Sequence, residues 1–484
     1  MGYFKLIFRG LVYYRRTNLG VLLGAALGTA ILVGALVVGD SVKYSLKQLA
    51  IKRLGQTDLA IFSADRFFTR SLAEDLDATA KFTATPILRL NGMVSQPGNG
   101  GQLNSIQVVG VTPGFWDFAP QPVKKTIDVG AAQVAINRQL AESLDVEMGD
   151  TILLKVQKPS LIPGDLALTA KAASVVGIRV QVQHILDAAQ FGSFSLDTTQ
   201  IIPPTAFIDH ELLSKELNIA DRANVMLVKV AGNDLEAPAA TLNNALKEHL
   251  HLHDAGLRLV DLPESNQIEL RSSRIFIAPE VANAAFAVDQ SAKGVLTYFV
   301  NAFRSADRLT PYSFVSAPPP AAMKMDLAKD EILITDWLAA DLGVEPGDQI
   351  DVDYYLPSEG QGLSEKTAEF QVAGIIPLDP QQQRRVPAIP GLTDTENCRD
   401  WDPGIPIELD RIRPEDEQYW DKYKSTPKAF FNLETAQRLW GNRFGEFTGI
   451  QFADVDRNAL QEKLLAELHP ASLGFVIQQV RTQQ

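Results

Sequence analysis

Apolar positions are arranged in two ways along this chain: one long unbroken run near the N-terminus, and shorter periodic patterns after it. The unbroken run covers residues 19–38 (LGVLLGAALGTAILVGALVV), contains no charged side chain, and has about the length that crosses a hydrocarbon core. A cleaved signal peptide is the alternative interpretation, but the following segment GDSVKYSL offers no good small-x-small cleavage site. We therefore predict one uncleaved transmembrane helix at residues 19–38.

The charges that precede this run predict its orientation. Four basic residues and no acidic residue come before it, namely Lys5, Arg9, Arg15 and Arg16. By the positive-inside rule, residues 1–18 are expected in the cytoplasm and everything after the helix on the outer side of the cell (inner) membrane. Apolar residues at helical spacing within residues 1–18 predict an interfacial helix on the cytoplasmic leaflet of the lipid bilayer. The alternative is that this segment prolongs the transmembrane helix.

Glycines recur every four residues inside the apolar run, at Gly20, Gly24 and Gly28. Such a stripe lies on one face of a helix, where the missing side chains let a second helix approach closely. No later stretch of this sequence is long and apolar enough to be that second helix. We therefore expect the stripe to pack against additional transmembrane helices. Glycine is also common in transmembrane helices without a packing role, which is the alternative.

The periodic patterns after the run occur twice. Residues 134–156 (VAINRQLAESLDVEMGDTILLKV) match residues 332–354 (ILITDWLAADLGVEPGDQIDVDY), and each segment reads as an amphipathic helix, a V-E-x-G-D turn and an alternating strand. The match continues downstream, where residues 206–230 resemble residues 429–452. The fold class we predict is α+β: one N-terminal transmembrane helix followed by two tandem, duplicated extracytoplasmic modules at residues 45–253 and 269–480.

The shared turn has a defined chemistry. Gly149 and Gly347 occupy the position at which a tight turn needs a positive φ angle, and the next residue in each copy, Asp150 or Asp348, can accept hydrogen bonds from nearby backbone amides. We therefore interpret these four residues as module turns, a structural role rather than a catalytic one.

Composition narrows the function classes further. The chain has 484 residues and a formal net charge of -13, which argues against nucleic acid as a partner. There is one cysteine, Cys398, so an intrachain disulfide is impossible. Neighbouring acidic residues are expected to raise the pKa of that thiol, which makes a thiol nucleophile improbable.

Motifs for catalysis or nucleotide binding are missing from the sequence. It contains no G-K-[ST] phosphate-binding loop and no G-x-S-x-G nucleophile elbow, so we expect no enzyme activity and no cofactor in this chain. The cluster His249, His251, His253 and Asp254 could bind a metal ion weakly, but we interpret it as the solvated end of a helix and assign no metal site. A charged, aromatic loop at residues 383–425 suits a docked loop or a partner surface.

Several segments together resemble a known family. The stretch YYRRTNLGVLLGAALGTAILVGALVVGDSVKYSL resembles the first transmembrane helix of FtsX-like ABC transporter permeases, the relatives of MacB-type exporters. The paired L-x-V-x-x-G-D segments, with PGLTDTENCRDWDPGIPIELDRIRPEDEQYW and TPKAFFNLETAQRLWGNRFG, resemble a large-ectodomain branch of that family. The similarity covers nearly the whole chain and implies a MacB-type periplasmic core.

The resemblance implies a transport role. Such permeases continue from a large ectodomain into further transmembrane helices and work with a separate cytoplasmic ABC ATPase, whose ATP-driven motion reaches the ectodomain. Because the sequence ends at VIQQVRTQQ, where the second transmembrane helix of the family should soon begin, the chain is expected to be truncated or half of a split permease. The alternative function is a stand-alone, single-pass envelope protein whose duplicated ectodomain binds a partner or ligand.

Overall fold

The structure is a computed structural model in which the N-terminal helices precede two similar sheet-rich modules. The structure describes residues 2–63, 66–79, 81–98, 100–121, 127, 129–130, 132–159, 175–197, 201–232, 237–318, 326–357, 363–402 and 404–481. Two α+β modules after one candidate membrane helix confirm the predicted fold class.

Two helices form the N-terminal part. Helix α1 covers Tyr3–Tyr13, and helix α2 covers Arg15–Leu54 without interruption. At about 1.5 Å per residue, a helix of 40 residues is about twice as long as a bilayer core requires. The predicted span at residues 19–38 therefore lies inside α2, and the helix continues beyond it towards the ectodomain. By length and composition, α2 is the candidate membrane span within the described residues.

The first copy of the duplicated unit follows. Its strands are β1 (Leu59–Phe62), β2 (Phe68–Thr69), β3 (Phe82–Ser95), β4 (Gln102–Val111), β5 (Gln133–Asn137), β6 (Thr151–Gln157), β7 (Val175–Leu186), β8 (Thr205–Asp209), β9 (Arg222–Ala223), β10 (Val225–Val230) and β11 (Leu257–Leu262). Its helices are α3 (Ser71–Asp77), α4 (Arg138–Leu144), α5 (His210–Glu216) and α6 (Pro238–His249).

Among the described residues, the second copy repeats this order without counterparts of the short strands β2 and β9 and with one more helix, α9 (Pro414–Tyr423). Its strands are β12 (Gln267–Ser272), β13 (Lys293–Ser305), β14 (Arg308–Ala317), β15 (Glu331–Thr335), β16 (Gln349–Pro357), β17 (Leu363–Ile376), β18 (Ala429–Phe431), β19 (Gly449–Ala453) and β20 (Val476–Gln478). Its helices are α7 (Pro279–Val288), α8 (Asp336–Leu342), α9 (Pro414–Tyr423), α10 (Leu433–Trp440) and α11 (Arg457–Glu467).

Each copy closes six strands into a barrel. In the first copy the order is β3-β4-β8-β5-β7-β6, and β6 pairs again with β3. In the second copy the order is β13-β14-β18-β15-β17-β16, and β16 pairs again with β13. The parallel pair β5–β7 has a register shift after Val134, and the matching pair β15–β17 has one after Ile332. Irregularities at equivalent positions support a true duplication, because bulges are retained features of a strand pair.

The two copies exchange their last strands. In the first sheet the strands β10, β1 and β20 extend outwards from the barrel, and in the second sheet the strands β19, β12 and β11 do the same. Strand β11, which ends the first copy, pairs with β12, the first strand of the second copy. Strand β20, which ends the second copy, pairs with β1, the first strand of the first copy. Each sheet is thus completed by a strand of the other copy.

A single hydrophobic core lies between the copies. It contains Leu242 and Leu246 of α6 together with Leu460 and Leu464 of α11, all with exposed fractions of 3% or less. The segment at residues 254–268, which lies between the two predicted modules, carries β11 and the start of β12 inside this arrangement. The predicted limits of the modules, residues 45–253 and 269–480, remain predictions, while sheet membership assigns β11 to the second sheet and β20 to the first.

Comparison of the two copies shows a buried histidine in the first copy where the second copy has an apolar residue. His210, the first residue of α5, is 1% exposed, and the matching first residue of α10 is Leu433. Neither imidazole nitrogen makes a hydrogen bond of normal geometry, although the Arg222 backbone interacts with the ring. Burial, followed by the charge of Arg70, lowers the pKa of His210 below its usual value. The folded protein therefore favours the neutral imidazole, and burying its polar nitrogens without normal hydrogen bonds lowers the stability of the fold.

We expect His210→Leu to stabilise the protein, most strongly in acid. Because the pKa is lowered in the folded state, unfolding takes up a proton as the pH falls below the usual histidine value of about 6.5, and stability declines there. Removing an unsatisfied buried group should raise the free energy of unfolding by about 1–3 kcal/mol. Thermal unfolding of the detergent-solubilised chain at several pH values measures this. The exposed His469→Leu is the control, and an unchanged acid profile in His210→Leu would contradict the assignment.

Candidate functional site: the junction of the membrane helix and the ectodomain

The end of α2 is fixed in the ectodomain. Residues 15–49 of this helix are exposed, whereas its last residue, Leu54, is fully buried. The next residue, Gly55, has a φ angle of 59°, and a Cβ atom there would lie 2.1 Å from the carbonyl oxygen of Phe118. The Gln56 amide donates a hydrogen bond to that same oxygen at 2.7 Å. Only glycine fits this position, because both the φ angle and the close backbone approach exclude a side chain.

An aromatic cluster surrounds Leu54. Phe115 is at its centre, with ring centroids of Phe191 at 5.0 Å, Phe194 at 5.1 Å and Phe207 at 5.8 Å. All four phenylalanine side chains are fully buried. Aromatic pairs at these separations add about 0.5–1.5 kcal/mol each to the effect of burial. The C-terminal end of α2 is therefore part of a tightly packed aromatic core and is not followed by a flexible linker.

Arg481 joins the last strand to the same junction. Its guanidinium donates hydrogen bonds to the carbonyl oxygens of Gly55 at 2.9 Å and Thr57 at 3.0 Å, and its Nε atom lies 3.1 Å from a carboxylate oxygen of Asp58. The other Asp58 oxygen accepts a hydrogen bond from the Val230 amide in β10. The start of the ectodomain and its final strand are thus connected at one point, which we call the junction site (Leu54–Asp58 with Arg481).

The predicted membrane residues lie away from this site. Lys5, Arg9, Arg15 and Arg16 are all exposed on α1 and the first turn of α2. The three glycines of the predicted packing stripe, Gly20, Gly24 and Gly28, are exposed too, and a Cβ atom added at any of them would meet nothing within 4 Å. The roles assigned to both groups remain predictions.

The predicted module turns have matching geometry in the two copies. Gly149 has a φ angle of 96° and Gly347 one of 102°. The Asp150 carboxylate accepts a hydrogen bond from the Glu147 amide at 2.9 Å. In the second copy, Asp348 accepts one from the Glu345 amide at 2.8 Å.

The same turns are tied to the neighbouring strand. The Gly149 and Gly347 amides donate to the carbonyl oxygens of Val182 and Val372, each at 2.8 Å. These bonds lie next to the starts of β6 and β16, and the structural role assigned to the four turn residues remains a prediction.

The charged loop of the second copy is docked on its barrel. Trp401 and Trp420 pack against each other with ring centroids 4.9 Å apart, and Trp401 also contacts Phe299 of β13 at 5.7 Å. Cys398 in this loop is buried, and burial, then the charge of Glu417, raises the pKa of its thiol. A neutral, inaccessible thiol is not a nucleophile.

A buried charged residue, Lys428, belongs to the same region. Lys428 is 3% exposed, and its ammonium lies 4.4 Å from the ring centre of Trp337 and 4.5 Å from that of Tyr419. Burial lowers the pKa of Lys428 to about 8, although Asp416, 3.9 Å away, opposes the shift. Both rings stabilise the cation from their faces, so this lysine anchors the docked loop.

The geometry above defines a class: a membrane-anchored chain whose continuous helix carries a duplicated α+β ectodomain. Residues 19–245 match the family model of the MacB-like periplasmic core domain. This match confirms the resemblance to FtsX-like and MacB-type ABC transporter permeases. The chain thus combines a candidate membrane helix with an extracytoplasmic domain like that of ABC transporter permeases.

Two solved structures have distant similarity to the chain. The periplasmic region of MacB from Actinobacillus actinomycetemcomitans is 13% identical, with a TM-score of 0.28, and the match covers 41% of this chain and 87% of that one. The extracellular domain of the noncanonic ABC-type transporter YknZ from Gram-positive bacteria is 12% identical, with a TM-score of 0.24, covering 38% and 81%. No curated protein sequence matches the chain.

Sequence reasoning missed the junction site. Gly55 and Arg481 carry no motif, because what makes them important is a contact between residues more than 400 positions apart. A weak signal existed in the aromatic segments at residues 115–118 (FWDF) and 191–194 (FGSF), which are too short to establish the period of a helix or a strand. Such aromatic groups indicate a buried cluster but do not reveal what is packed against it.

We expect Gly55→Ala to be strongly destabilising and Gly149→Ala mildly so. Both glycines have positive φ angles, but only Gly55 faces a backbone oxygen where the methyl group would be. The strained φ angle costs about 1–3 kcal/mol at either site, and overpacking adds about 1–3 kcal/mol at Gly55 alone. Chemical unfolding followed by tryptophan fluorescence compares the two variants. Equal losses of stability would show that the close approach to Phe118 does not constrain the junction.

We expect Arg481→Ala to loosen the junction without affecting the other exchanged strand. The control is Arg457→Ala, because Arg457 donates comparable hydrogen bonds to Asp261 and Leu259 of β11. Loss of about 1–2 kcal/mol of local stability should speed amide exchange in β1 and β20 about 5-fold to 30-fold. Hydrogen–deuterium exchange with mass spectrometry measures each strand. Faster exchange in β11 rather than β20 in Arg481→Ala would contradict the contact.

Proposed function

We propose that this chain is a membrane permease component of an ABC transporter, whose ectodomain transmits ATP-driven motion from a separate cytoplasmic ATPase to a substrate in the envelope. The observation that carries the proposal is the continuity of α2 from the candidate membrane span into the buried junction site of a MacB-like periplasmic core domain. A helix whose hydrogen bonds are all internal resists bending, so movement of its membrane part is passed to its end.

The junction site offers a route for that movement. Displacement of α2 acts on Leu54, which packs in the aromatic cluster, and on the backbone carbonyl of Gly55, which Arg481 binds. Arg481 lies shortly after β20 in the sequence, and β20 pairs with β1. A displacement of α2 would therefore reach the first and the last strand of the ectodomain together. The shared core of α6 and α11 then couples the two copies, which favours their movement as one body over hinge motion between them.

The proposed partners follow from the surface of α2. The helix exposes its apolar residues and its glycine stripe along the entire candidate span. In hydrocarbon, close helix packing rather than apolar burial drives association, and small residues permit it. We infer that additional transmembrane helices of the transporter pack on Gly20, Gly24 and Gly28. The basic leader supports placing the N-terminus in the cytoplasm and the ectodomain outside the cell (inner) membrane.

The proposal is tested by isolating the chain from its native membranes under mild detergent and identifying the associated proteins. We expect an ABC ATPase and further membrane-spanning segments to co-purify with the wild-type chain. Gly24→Leu should reduce this association at least several-fold, because it fills the packing face of α2. Ala26→Leu is the matched control, since residue 26 lies on the opposite face of the same helix.

Two results would count against the proposal. Absence of an ABC ATPase from preparations of the intact wild-type chain would favour a stand-alone envelope protein that binds a partner or ligand with its ectodomain. Equal effects of Gly24→Leu and Ala26→Leu would reject the glycine stripe as the packing face. Correct membrane insertion of both variants is checked by their resistance to alkaline extraction.

A further inference from the structure

The turn between α6 and β11 brings together two histidines and one buried carboxylate. His251, His253 and Asp254 each offer a ligand atom, and the three atoms lie within 4.8 Å of one another. The Asp254 side chain is fully buried, whereas those of His251 and His253 are about half exposed, at 46% and 54%. Only His249 of the HLHLHD segment remains on the helix, as the last residue of α6, so the segment is not simply a solvated helix end.

The carboxylate is fixed in position before any ligand arrives. One Asp254 oxygen accepts hydrogen bonds from the hydroxyl and the amide of Thr69, which belongs to β2. The other oxygen accepts a hydrogen bond from the His251 amide at 2.9 Å. A carboxylate oxygen has two acceptor directions, so the oxygen that accepts both bonds from Thr69 is fully used. The oxygen that accepts the bond from the His251 amide still has one direction available for a ligand.

The imidazoles face this carboxylate at distances that suit a metal ion. His251 Nδ1 lies 3.6 Å from one Asp254 oxygen, and His253 Nε2 lies 3.8 Å from the other. Two ligand atoms that share a tetrahedral Zn²⁺ at bond lengths of about 2.0–2.1 Å are about 3.4 Å apart. The two rings are stacked with their centroids 5.2 Å apart, which places both imidazoles on the same side of the turn as the carboxylate, with all three ligand atoms within 4.8 Å of one another.

We propose that His251, His253 and Asp254 form a site for a divalent transition-metal ion such as Zn²⁺, with solvent completing the coordination. Imidazole nitrogen and carboxylate oxygen are both ordinary ligands of this ion, and exposed rings leave it accessible from solvent. The hydrogen bonds from Thr69 orient the ligating carboxylate in the manner that outer-shell partners do in metal sites. The inference does not depend on the proposed transport function.

One neighbouring charge limits the affinity. Arg222 in β9 donates a hydrogen bond to the His253 carbonyl at 2.8 Å, and its positive charge interacts with Asp254. A cation at the site therefore shares the carboxylate with this guanidinium, which argues for a readily exchanged ion rather than a permanent one. The bound ion would fix the turn against β2 and so hold the start of β11 in register with β12.

Metal titration of the full detergent-solubilised chain tests the site. We expect about one Zn²⁺ to bind per wild-type chain in isothermal calorimetry, and Co²⁺ to give the visible absorption of a four-coordinate ion. The double variant His251→Gln, His253→Gln should lose both signals while keeping its fold, because both side chains are exposed. His249→Gln is the matched control and should bind as the wild type does.

A second variant separates a built site from an unspecific histidine patch. Thr69→Val removes the hydroxyl that orients Asp254 but leaves every ligand atom in place, so we expect affinity to fall about 10-fold to 100-fold. Unchanged affinity in Thr69→Val would overturn the assignment of Asp254 as an oriented ligand. Absence of binding to the wild type, or retained binding in the double histidine variant, would overturn the site itself.

Discussion

The reciprocal pairing of the terminal strands is the constraint on which the ectodomain depends. Strand β11 completes the sheet of the copy that follows it, and β20 completes the sheet of the copy that precedes it. Each of the two large sheets therefore contains strands from both copies. The helices α6 and α11, which lead into these strands, bury their apolar faces in one common core. The two halves are similar in fold but are not independent units of stability.

In the proposed mechanism, this arrangement connects the membrane helix to both copies of the ectodomain. A helix attached to an independent module would move only that module. Here α2 ends beside Arg481, which follows the last strand of the second copy and binds the backbone just after α2. The barrels lie beyond the exchanged strands and keep their own hydrophobic cores. The largest addition described in the second copy is the docked loop next to Lys428.

The sequence predicted the elements better than their connections. The apolar run, the repeated V-E-x-G-D turn and the AFID/AFFN correspondence identified the helix and the duplicated unit, because each signal is local and periodic. The exchange of strands was missed, since β11 and β20 look alike as short apolar segments and nothing local tells which first strand each one joins. The buried role of Asp254 was missed for the same reason, because its partner Thr69 is distant in sequence.

The strand exchange also dictates an order of events during folding. Ile61 of β1 pairs with Ile477 of β20, so the first sheet waits for a partner that is synthesised more than 400 residues later. Closing a loop of that length carries a high entropic cost, and contacts of this kind slow folding. Until β20 arrives, the outer edge of β1 stays open to pairing with other strands. Factors that shield exposed strand edges are therefore expected to favour correct folding of the first sheet.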